Sequence, residues 1–292
     1  MDSMTRIERC LGDALSLTQG KDAPPGLVAA MSYAVMPGGA RIRPRLALAV
    51  AQACGDDTPW LADAAAAAIE LLHCASLVHD DLPCFDDAPL RRGKPSVHKA
   101  YGEQLALLTG DALIVLAFQV LGPAAGRSPA AIQRLPALLG ILASAVGAPD
   151  GITAGQAWES ERDVTLSTYQ RAKTGALFAA ATAAGACAAG HAAEPWRALG
   201  ERLGEAYQVA DDLRDVVASS VDLGKPTGQD VAHGRPNAVH QLGLAAALQR
   251  LQDLVGAALA AIPACAGADA LRAHIMAEAG RLVPRELARP AA

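Results

Sequence analysis

Apolar residues recur at helical spacing along most of the chain, and turn-forming residues separate the apolar segments. Glycine, proline and aspartate cluster at these breaks, for example at residues 22–25, 36–39 and 55–59. No segment alternates apolar and polar residues in the way that predicts strands joined by hairpin turns. The pattern therefore predicts a mostly helical protein.

Two long helices are predicted with defined ends. One begins at Pro59, with Thr58 as its N-cap, and runs to about Asp81. The other runs from Pro195 to about Val217. Both end in acidic residues, although the C-terminus of a helix disfavours anions. These two helix ends are therefore candidate functional sites.

The stretch Gly175–Ala193 is long enough to be tested as a membrane span. It consists mostly of alanine and glycine, which contribute little insertion energy. A buried helix packed through small residues is predicted instead, and the protein is not expected to be an integral membrane protein. Because no long linker or low-complexity segment divides the chain, one domain over residues 1–292 is predicted.

Composition supports the helical prediction and narrows the function classes. Of 292 residues, 52% are hydrophobic and 19% charged, which excludes a disordered chain. Aromatic residues make up 3%, and alanine is the commonest residue, so an all-β protein is not expected. The net charge of −5 disfavours generic nucleic-acid binding. The six cysteines lack zinc-site spacing and the N-terminal segment is charged, which together favour a cytoplasmic enzyme.

Four carboxylates lie within eight positions at the end of the first long helix: Asp80, Asp81, Asp86 and Asp87. They follow the nearly apolar segment Ala64–Val78, so they do not continue a solvated helix face. Such a cluster is costly unless solvent or cations accompany it, and oxygen ligands select hard cations, above all Mg²⁺. The alternative is an acidic helix end followed by a turn.

A second acidic cluster contains Asp211, Asp212 and Asp215. Asp211 and Asp215 are four residues apart and share one helix face, where like charges destabilise a bare helix. A divalent ion would convert this repulsion into binding. The alternative is an ordinary ion pair between Asp211 and Arg214 on a surface helix.

Basic residues complement the two acidic clusters, and arginine forks suit phosphate oxygens. They are Arg41, Arg43, Arg45, Arg91, Arg92, Lys173 and Lys225. Together with two Mg²⁺-type clusters, they predict a site for more than one diphosphate. A second interpretation is a helical metal phosphohydrolase of the HD type with His73, His79 and His98 as ligands, but it leaves the second acidic cluster without a role.

The order of these motifs resembles the short-chain trans-polyprenyl diphosphate synthase family over about residues 30–240. The family's first aspartate motif, DDxxxxD, stands at residues 80–86 and is followed by RRG. Its second motif, DDxxD, stands at residues 211–215, KTG at 173–175 and GKxxGxD at 224–230. The segments GGARIRPRL and HCASLVHDDLPCFDD are most similar to geranylgeranyl diphosphate synthases of bacterial carotenoid pathways.

The resemblance implies an all-α isoprenoid synthase bundle around a deep central cavity, usually a homodimer. It also implies a reaction that joins isopentenyl diphosphate to an allylic diphosphate, with several Mg²⁺ ions per site. The expected product is geranylgeranyl diphosphate, with farnesyl diphosphate as the alternative. A class I terpene cyclase and a catalytically silent partner subunit are less favoured, because the arginine segment and the intact aspartates respectively argue against them.

The resemblance also implies a role for each matching residue. Asp80, Asp86 and Asp211 are expected to ligate the metal, with Asp81 and Asp215 in support. Asp212, the remaining motif aspartate, is also expected to be a catalytic residue. Isopentenyl diphosphate falls to Arg43, His73 and Arg92. The allylic diphosphate falls to Arg91, Lys173 and Lys225, and the allylic cation to Thr174 and Gln208. Product length falls to Ala75 and Ser76, which precede the first aspartate motif.

One position departs from the family pattern. The family usually has lysine in GGKRxRP, where this chain has Ala40. One contact to isopentenyl diphosphate is therefore lost, and Arg41 is a candidate to replace it.

Overall fold

The computed structural model describes residues 2–36, 38–161, 165–217 and 238–282, and within them the chain is almost entirely helical. The helices are α1 (Ser3–Ser16), α2 (Pro25–Val35), α3 (Ile42–Ala53), α4 (Pro59–Asp80), α5 (Val97–Tyr101), α6 (Glu103–Gln119), α7 (Leu121–Ala125), α8 (Pro129–Val146), α9 (Ile152–Ala157), α10 (Leu166–Gln170), α11 (Ala176–Ala188), α12 (Glu194–Val217), α13 (Ala238–Leu242), α14 (Leu244–Ala260) and α15 (Ala268–Leu282). Two short strands, β1 (Leu90–Arg91) and β2 (Lys94–Pro95), form an antiparallel hairpin. The all-α prediction is confirmed.

The chain divides into two compact units. Unit 1 comprises Met1–Ala143 and Ala181–Ala193, and unit 2 comprises Ser144–Ala180 and Glu194–Ala292. The first acidic cluster lies in unit 1 and the second lies in unit 2. The single domain expected over residues 1–292 stays a prediction.

Helix α4 is the central helix of unit 1, where it packs against α3 and α6. Five consecutive alanines, Ala64–Ala68, are at most 3% exposed, so the helix is buried on every side. Small side chains let neighbouring backbones approach closely. At Gly185 on α11, for example, an added Cβ would lie 2.3 Å from the carbonyl oxygen of Ala47 on α3. Close packing around α4 fixes the position of its acidic end.

The start of α4 agrees with the prediction, but the role of Thr58 does not. Thr58 occupies the N-cap position without making a side-chain capping bond. Its hydroxyl instead donates to the carbonyl oxygen of Ala188 at 2.7 Å and accepts from Arg134 at 2.8 Å. Thr58 therefore joins three segments of unit 1 rather than capping its own helix.

Helix α12 is the central helix of unit 2 and packs on α14. Its apolar face, which includes Ala206, Ala210 and Leu213, lies against Leu251 and Leu254 of α14. The helix begins at Glu194, one residue before the predicted start at Pro195, and ends at Val217 as expected. This packing presents the acidic residues of its last turns at defined positions.

Within the residues that the structure describes, three helical stretches are long and apolar enough to cross a membrane by length and composition alone: Pro59–Asp80, Glu103–Ala125 and Pro129–Val146. The first is α4, whose apolar window is 78% buried inside the protein. Burial in the core of unit 1 accounts for its hydropathy. The stretch tested as a membrane span in the sequence, Gly175–Ala193, contains α11, whose residues Leu177–Ala188 are buried as predicted.

Candidate active site

The end of α4 brings Asp80 and Asp86 together in unit 1. Asp81 is the C-cap of the helix, and the chain then turns so that the backbone N–H of Asp86 donates to the carbonyl oxygen of Asp80 at 3.0 Å. One carboxylate oxygen of Asp80 and one of Asp86 lie within 4.8 Å of each other. Both residues are partly exposed. Two accessible carboxylates at this separation fit a hard divalent cation such as Mg²⁺.

Asp81 has a different environment from its two neighbours. It is 2% exposed, and the Arg91 guanidinium donates to it through Nε, at 2.9 Å, and through Nη2. Burial raises the pKa of Asp81 above its ordinary value, and Arg91 opposes that rise. Nη2 of Arg91 also lies 3.7 Å from Asp80. The Arg91 guanidinium therefore lies within the first acidic cluster, and Asp81 supports the site by holding it.

Asp87 pairs with residues of α5 rather than with Asp80 and Asp86. Its side chain is 58% exposed and accepts from Lys99 Nζ at 3.0 Å, with His98 Nε2 at 3.3 Å. The four acids of the first cluster thus have different environments. Asp80 and Asp86 lie close together, Asp81 is buried, and Asp87 pairs with Lys99 of α5. Asp87 provides a natural control for Asp86.

Arg43, His73 and Arg92 form a second group in unit 1. Arg43 Nη1 lies 3.4 Å from His73 Nε2. Burial lowers the pKa of His73 well below its ordinary value, although part of its surface is accessible, and the charges of Arg43 and Arg92 lower it further. The imidazole is therefore neutral, and Nε2 accepts from Arg43. Arg92 packs over Gly39, where an added Cβ would lie 2.8 Å from its Cζ atom.

Arg41 does not replace the lysine missing at position 40. Its side chain is fully buried and bonds to Glu8 at 2.8 Å, to Glu70 at 2.7 Å and to the carbonyl oxygen of Val35 at 2.8 Å. Burial lowers the pKa of Arg41, but Glu8 and Glu70 raise it above its ordinary value, so the guanidinium stays charged. The Arg41 guanidinium is paired with carboxylates of unit 1 and is not accessible to a substrate.

A π-helical turn in unit 2, Arg171–Gly175, carries Lys173 and Thr174. The Thr174 hydroxyl donates to Gln208 Oε1 at 3.0 Å, and Gln208 Nε2 donates to Asp212 Oδ1 at 3.0 Å. Asp212 is 1% exposed and accepts from the backbone N–H of Ala238 at 2.8 Å. Asp212 therefore anchors Gln208 and the first residue of α13.

Asp211 and Asp215 are partly exposed on α12. Arg214 Nη2 lies 3.5 Å from Asp211, so the ion pair expected from the alternative interpretation is present. Arg214 also lies 5.5 Å over the ring of Tyr207 and donates to the carbonyl oxygen of Ala210. As in unit 1, an arginine accompanies the carboxylates. Lys225 lies outside the described residues.

Sequence reasoning predicted Lys173 but missed Glu159 and its other two partners, Tyr169 and Gln156. The Glu159 carboxylate accepts from Lys173 Nζ, from the Tyr169 hydroxyl at 2.6 Å and from Gln156 Nε2 at 2.9 Å. The backbones also meet closely, since a Cβ at Gly155 would lie 2.4 Å from the backbone nitrogen of Lys173. An acid fourteen residues before its lysine leaves no local signal in the sequence.

Comparisons with known proteins identify the family of the chain. The sequence profile described as Polyprenyl synthetase matches residues 24–265, which is most of the chain. The chain belongs to the polyprenyl synthetase family. It is therefore an enzyme of the trans-prenyltransferase class.

Individual polyprenyl synthetases match over more than four fifths of both chains. A geranylgeranyl diphosphate synthase of Cereibacter sphaeroides is 58% identical over 97% of each chain. A farnesyl diphosphate synthase of Geobacillus stearothermophilus is 39% identical over 81% of this chain and 82% of its own. The crystal structure of a geranyltransferase from Helicobacter pylori, complexed with magnesium and isoprenyl diphosphate, has a TM-score of 0.80 at 29% identity, covering 96% of both chains.

The HD-type hydrolase interpretation fails on the positions of the three histidines. His79 Nε2 donates to the carbonyl oxygen of Leu107 at 3.2 Å, and His98 Nδ1 lies 3.0 Å from the Ser96 hydroxyl. With His73 bonded to Arg43, each histidine has a different partner. Among the described residues, no histidine joins a group that could hold a metal ion.

The two residues expected to control product length differ in their surroundings. Ala75 on α4 is 1% exposed. Ser76 is partly exposed, and its hydroxyl donates to the carbonyl oxygen of His73 at 2.8 Å within the same helix. Because the serine hydroxyl is satisfied locally, it does not require a polar group on the neighbouring surface.

Proposed function

We propose that this polyprenyl synthetase is a geranylgeranyl diphosphate synthase. It condenses isopentenyl diphosphate with dimethylallyl, geranyl or farnesyl diphosphate, releases pyrophosphate and stops at twenty carbons. The observation that carries the proposal is the high identity, over almost the whole of both chains, to the enzyme of that name from Cereibacter sphaeroides. Farnesyl diphosphate synthase is the alternative, and the lower identity to such an enzyme disfavours it.

We assign Mg²⁺ ligation to Asp80 and Asp86 in unit 1 and to Asp211 in unit 2, with several ions per site. The support is the chemistry of these donors, which are carboxylate oxygens on partly exposed residues. Bound Mg²⁺ would neutralise the charge of a diphosphate and so make it a competent leaving group. Asp81 and Asp215 are assigned as supporting residues, Asp81 by holding Arg91 and Asp215 by its partly exposed position one turn after Asp211. Asp212 acts through Gln208, to which it is bonded.

We assign isopentenyl diphosphate to Arg43, His73 and Arg92. Neutral His73 orients Arg43, and its ring can donate through Nδ1 while Nε2 accepts. The two guanidinium groups supply forked donors that match phosphate oxygens. The allylic diphosphate is assigned to Arg91, Lys173 and Lys225, and Arg91 must share its guanidinium between the ligand and Asp81.

Thr174 and Gln208 are assigned to the developing allylic cation. The Thr174 hydroxyl donates its proton to Gln208, so the lone pairs of its oxygen remain available to face positive charge. Gln208 is itself fixed by Asp212. Oxygen dipoles held in place before reaction stabilise a cation without reorganising, and an apolar cavity would exclude the water that quenches it.

We further propose a cytoplasmic homodimer whose product supplies carotenoid synthesis. Helix α6 supports the dimer, because Leu107, Leu108 and Val115 are each at least 50% exposed on it. Exposed large apolar side chains on one helix are typical of a protein interface. The carotenoid assignment is supported by the two motif segments that resemble synthases of bacterial carotenoid pathways.

An assay of the purified protein tests the proposal. Isopentenyl diphosphate is supplied with Mg²⁺ and, in separate reactions, with each of the three allylic diphosphates, and the products are separated by chain length. We expect a twenty-carbon product from all three primers and no product when EDTA removes the metal. Absence of condensation with every primer would contradict the proposed function.

A further inference from the structure

Helix α1 lies outside the part of the chain that matches the family profile, which begins at residue 24. It nevertheless reaches the loop that precedes Arg43. Glu8 of α1 accepts from Arg41 Nε at 2.8 Å and from Arg41 Nη2 at 3.4 Å. Helix α1 therefore contacts a residue only two positions before Arg43, which is assigned to isopentenyl diphosphate.

Arg41 is held from three directions. Glu8 binds it from α1, Glu70 binds it from α4 at 2.7 Å, and the carbonyl oxygen of Val35 accepts from it at the end of α2. Its backbone is in the left-handed region, with φ at 49°. The guanidinium also fills the space beside Gly38, where an added Cβ would lie 1.9 Å from its Cζ atom. The loop before α3 is therefore built around this one side chain.

The same contacts link the two helices that carry Arg43 and His73. Arg41 is the N-cap of α3, and Arg43 lies in the first turn of that helix. Glu70 lies on α4, three residues before His73, which is about one helical turn. The ion pair between Arg41 and Glu70 thus joins the two turns that carry Arg43 and His73. Glu8 completes the set from α1.

We propose that Glu8 and Arg41 are positioning residues for isopentenyl diphosphate, and that α1 acts through them on the site formed by Arg43, His73 and Arg92. The inference rests on the proposed function, which assigns that substrate to these three residues. The family resemblance implies that a lysine at position 40 contacts this diphosphate, and Ala40 cannot supply that contact. Binding then depends more strongly on the orientation of Arg43.

Glu8→Gln is the principal test, because it removes the charge while keeping the size of a side chain that is 33% exposed. We expect the KM for isopentenyl diphosphate to rise about fivefold, since small displacements of a positioning group weaken binding without altering the chemistry. The KM for the allylic diphosphate and kcat should stay at wild-type values. Glu8→Asp, which keeps the charge, should recover part of the loss.

The matched control is Arg9→Gln on the same helix. The Arg9 side chain is 52% exposed, and its Nη2 lies 3.5 Å from Oδ2 of Asp63. Within the described residues, Arg9 pairs with Asp63 on α4 and not with the loop before α3. Both KM values should be unchanged. Arg41→Lys, which keeps the charge but loses the fork, should raise the KM for isopentenyl diphosphate more than Glu8→Gln does. The melting temperature of each variant shows whether it is folded.

The results separate this inference from the proposed function. If wild-type protein fails to consume isopentenyl diphosphate, the proposed function is wrong. If wild type is active and Glu8→Gln shows unchanged KM values, or equal rises in both, then α1 has a purely structural role and the inference is overturned. A rise confined to isopentenyl diphosphate supports it.

Discussion

Replacing Asp80 or Asp211 with alanine is expected to lower kcat at least about 10³-fold. Each residue is assigned as a metal ligand, and a metal supplies several kcal/mol of charge stabilisation in a transition state where diphosphate leaves. A loss of about 4 kcal/mol corresponds to that factor. Steady-state assays at saturating Mg²⁺ measure it, and circular dichroism establishes that each variant keeps its helical content.

Two other acids, one in each unit, provide controls for these variants. Asp87→Ala removes a carboxylate adjacent to Asp86 in the sequence but bonded to Lys99. Asp253→Ala removes an exposed carboxylate on α14 of unit 2, which accepts from Gln249. Both should retain turnover close to that of the wild type. Near-normal activity in Asp80→Ala or Asp211→Ala would defeat the assignment of both acidic clusters to the metal.

Ala75→Tyr should change the main product from twenty to fifteen carbons while turnover is retained. Ala75 lies five residues before Asp80 on α4 and is buried. An aromatic ring buries about 150–250 Å² and would occupy space that the proposal gives to the last isoprene unit. Overpacking should also lower the stability by about 1–3 kcal/mol. Chromatography of the products gives the ratio of chain lengths.

Ala75→Ser is the size-matched control for this substitution and should still make the twenty-carbon product. If Ala75→Tyr is folded and active with the product distribution of the wild type, residue 75 faces a neighbouring helix rather than the growing chain. That result would remove the chain-length argument but leave the family assignment intact.

Local signals in the sequence predict the helices well. Proline at position 59 marks the start of α4, and the predicted start and end of α12 agree with the structure to within one residue. The burial of Ala64–Ala68 follows from a segment that is apolar on every face. Such features depend on residues close together in the chain, which is why periodicity and caps reveal them.

Partners that are distant in the chain could not be predicted. Thr58 looks like a cap in the sequence, yet it bonds to Ala188, 130 positions away. Asp80 and Asp81 are adjacent and chemically alike, but burial beside Arg91 distinguishes them. The hydrogen bond between Glu159 and Lys173 likewise depends on tertiary packing. Tertiary packing decides which polar groups meet, and no local pattern encodes it.

The buried position of Arg41 corrects one sequence-based hypothesis. An arginine next to the missing lysine is a reasonable substitute when charge alone is considered. However, Glu8 and Glu70 lie within 2.8 Å of the Arg41 guanidinium, and the side chain is excluded from solvent. The sequence shows which charged side chains are available, whereas the structure is needed to show where each of them points.

Farnesyl diphosphate as the sole allylic primer tests the central claim most directly. It is supplied with isopentenyl diphosphate and Mg²⁺, and the product chain length is measured together with pyrophosphate release. A geranylgeranyl diphosphate synthase adds one five-carbon unit to this primer, so we predict a twenty-carbon product and one pyrophosphate per product. If the protein elongates geranyl diphosphate to fifteen carbons but leaves farnesyl diphosphate unchanged, the assignment as a geranylgeranyl diphosphate synthase is contradicted.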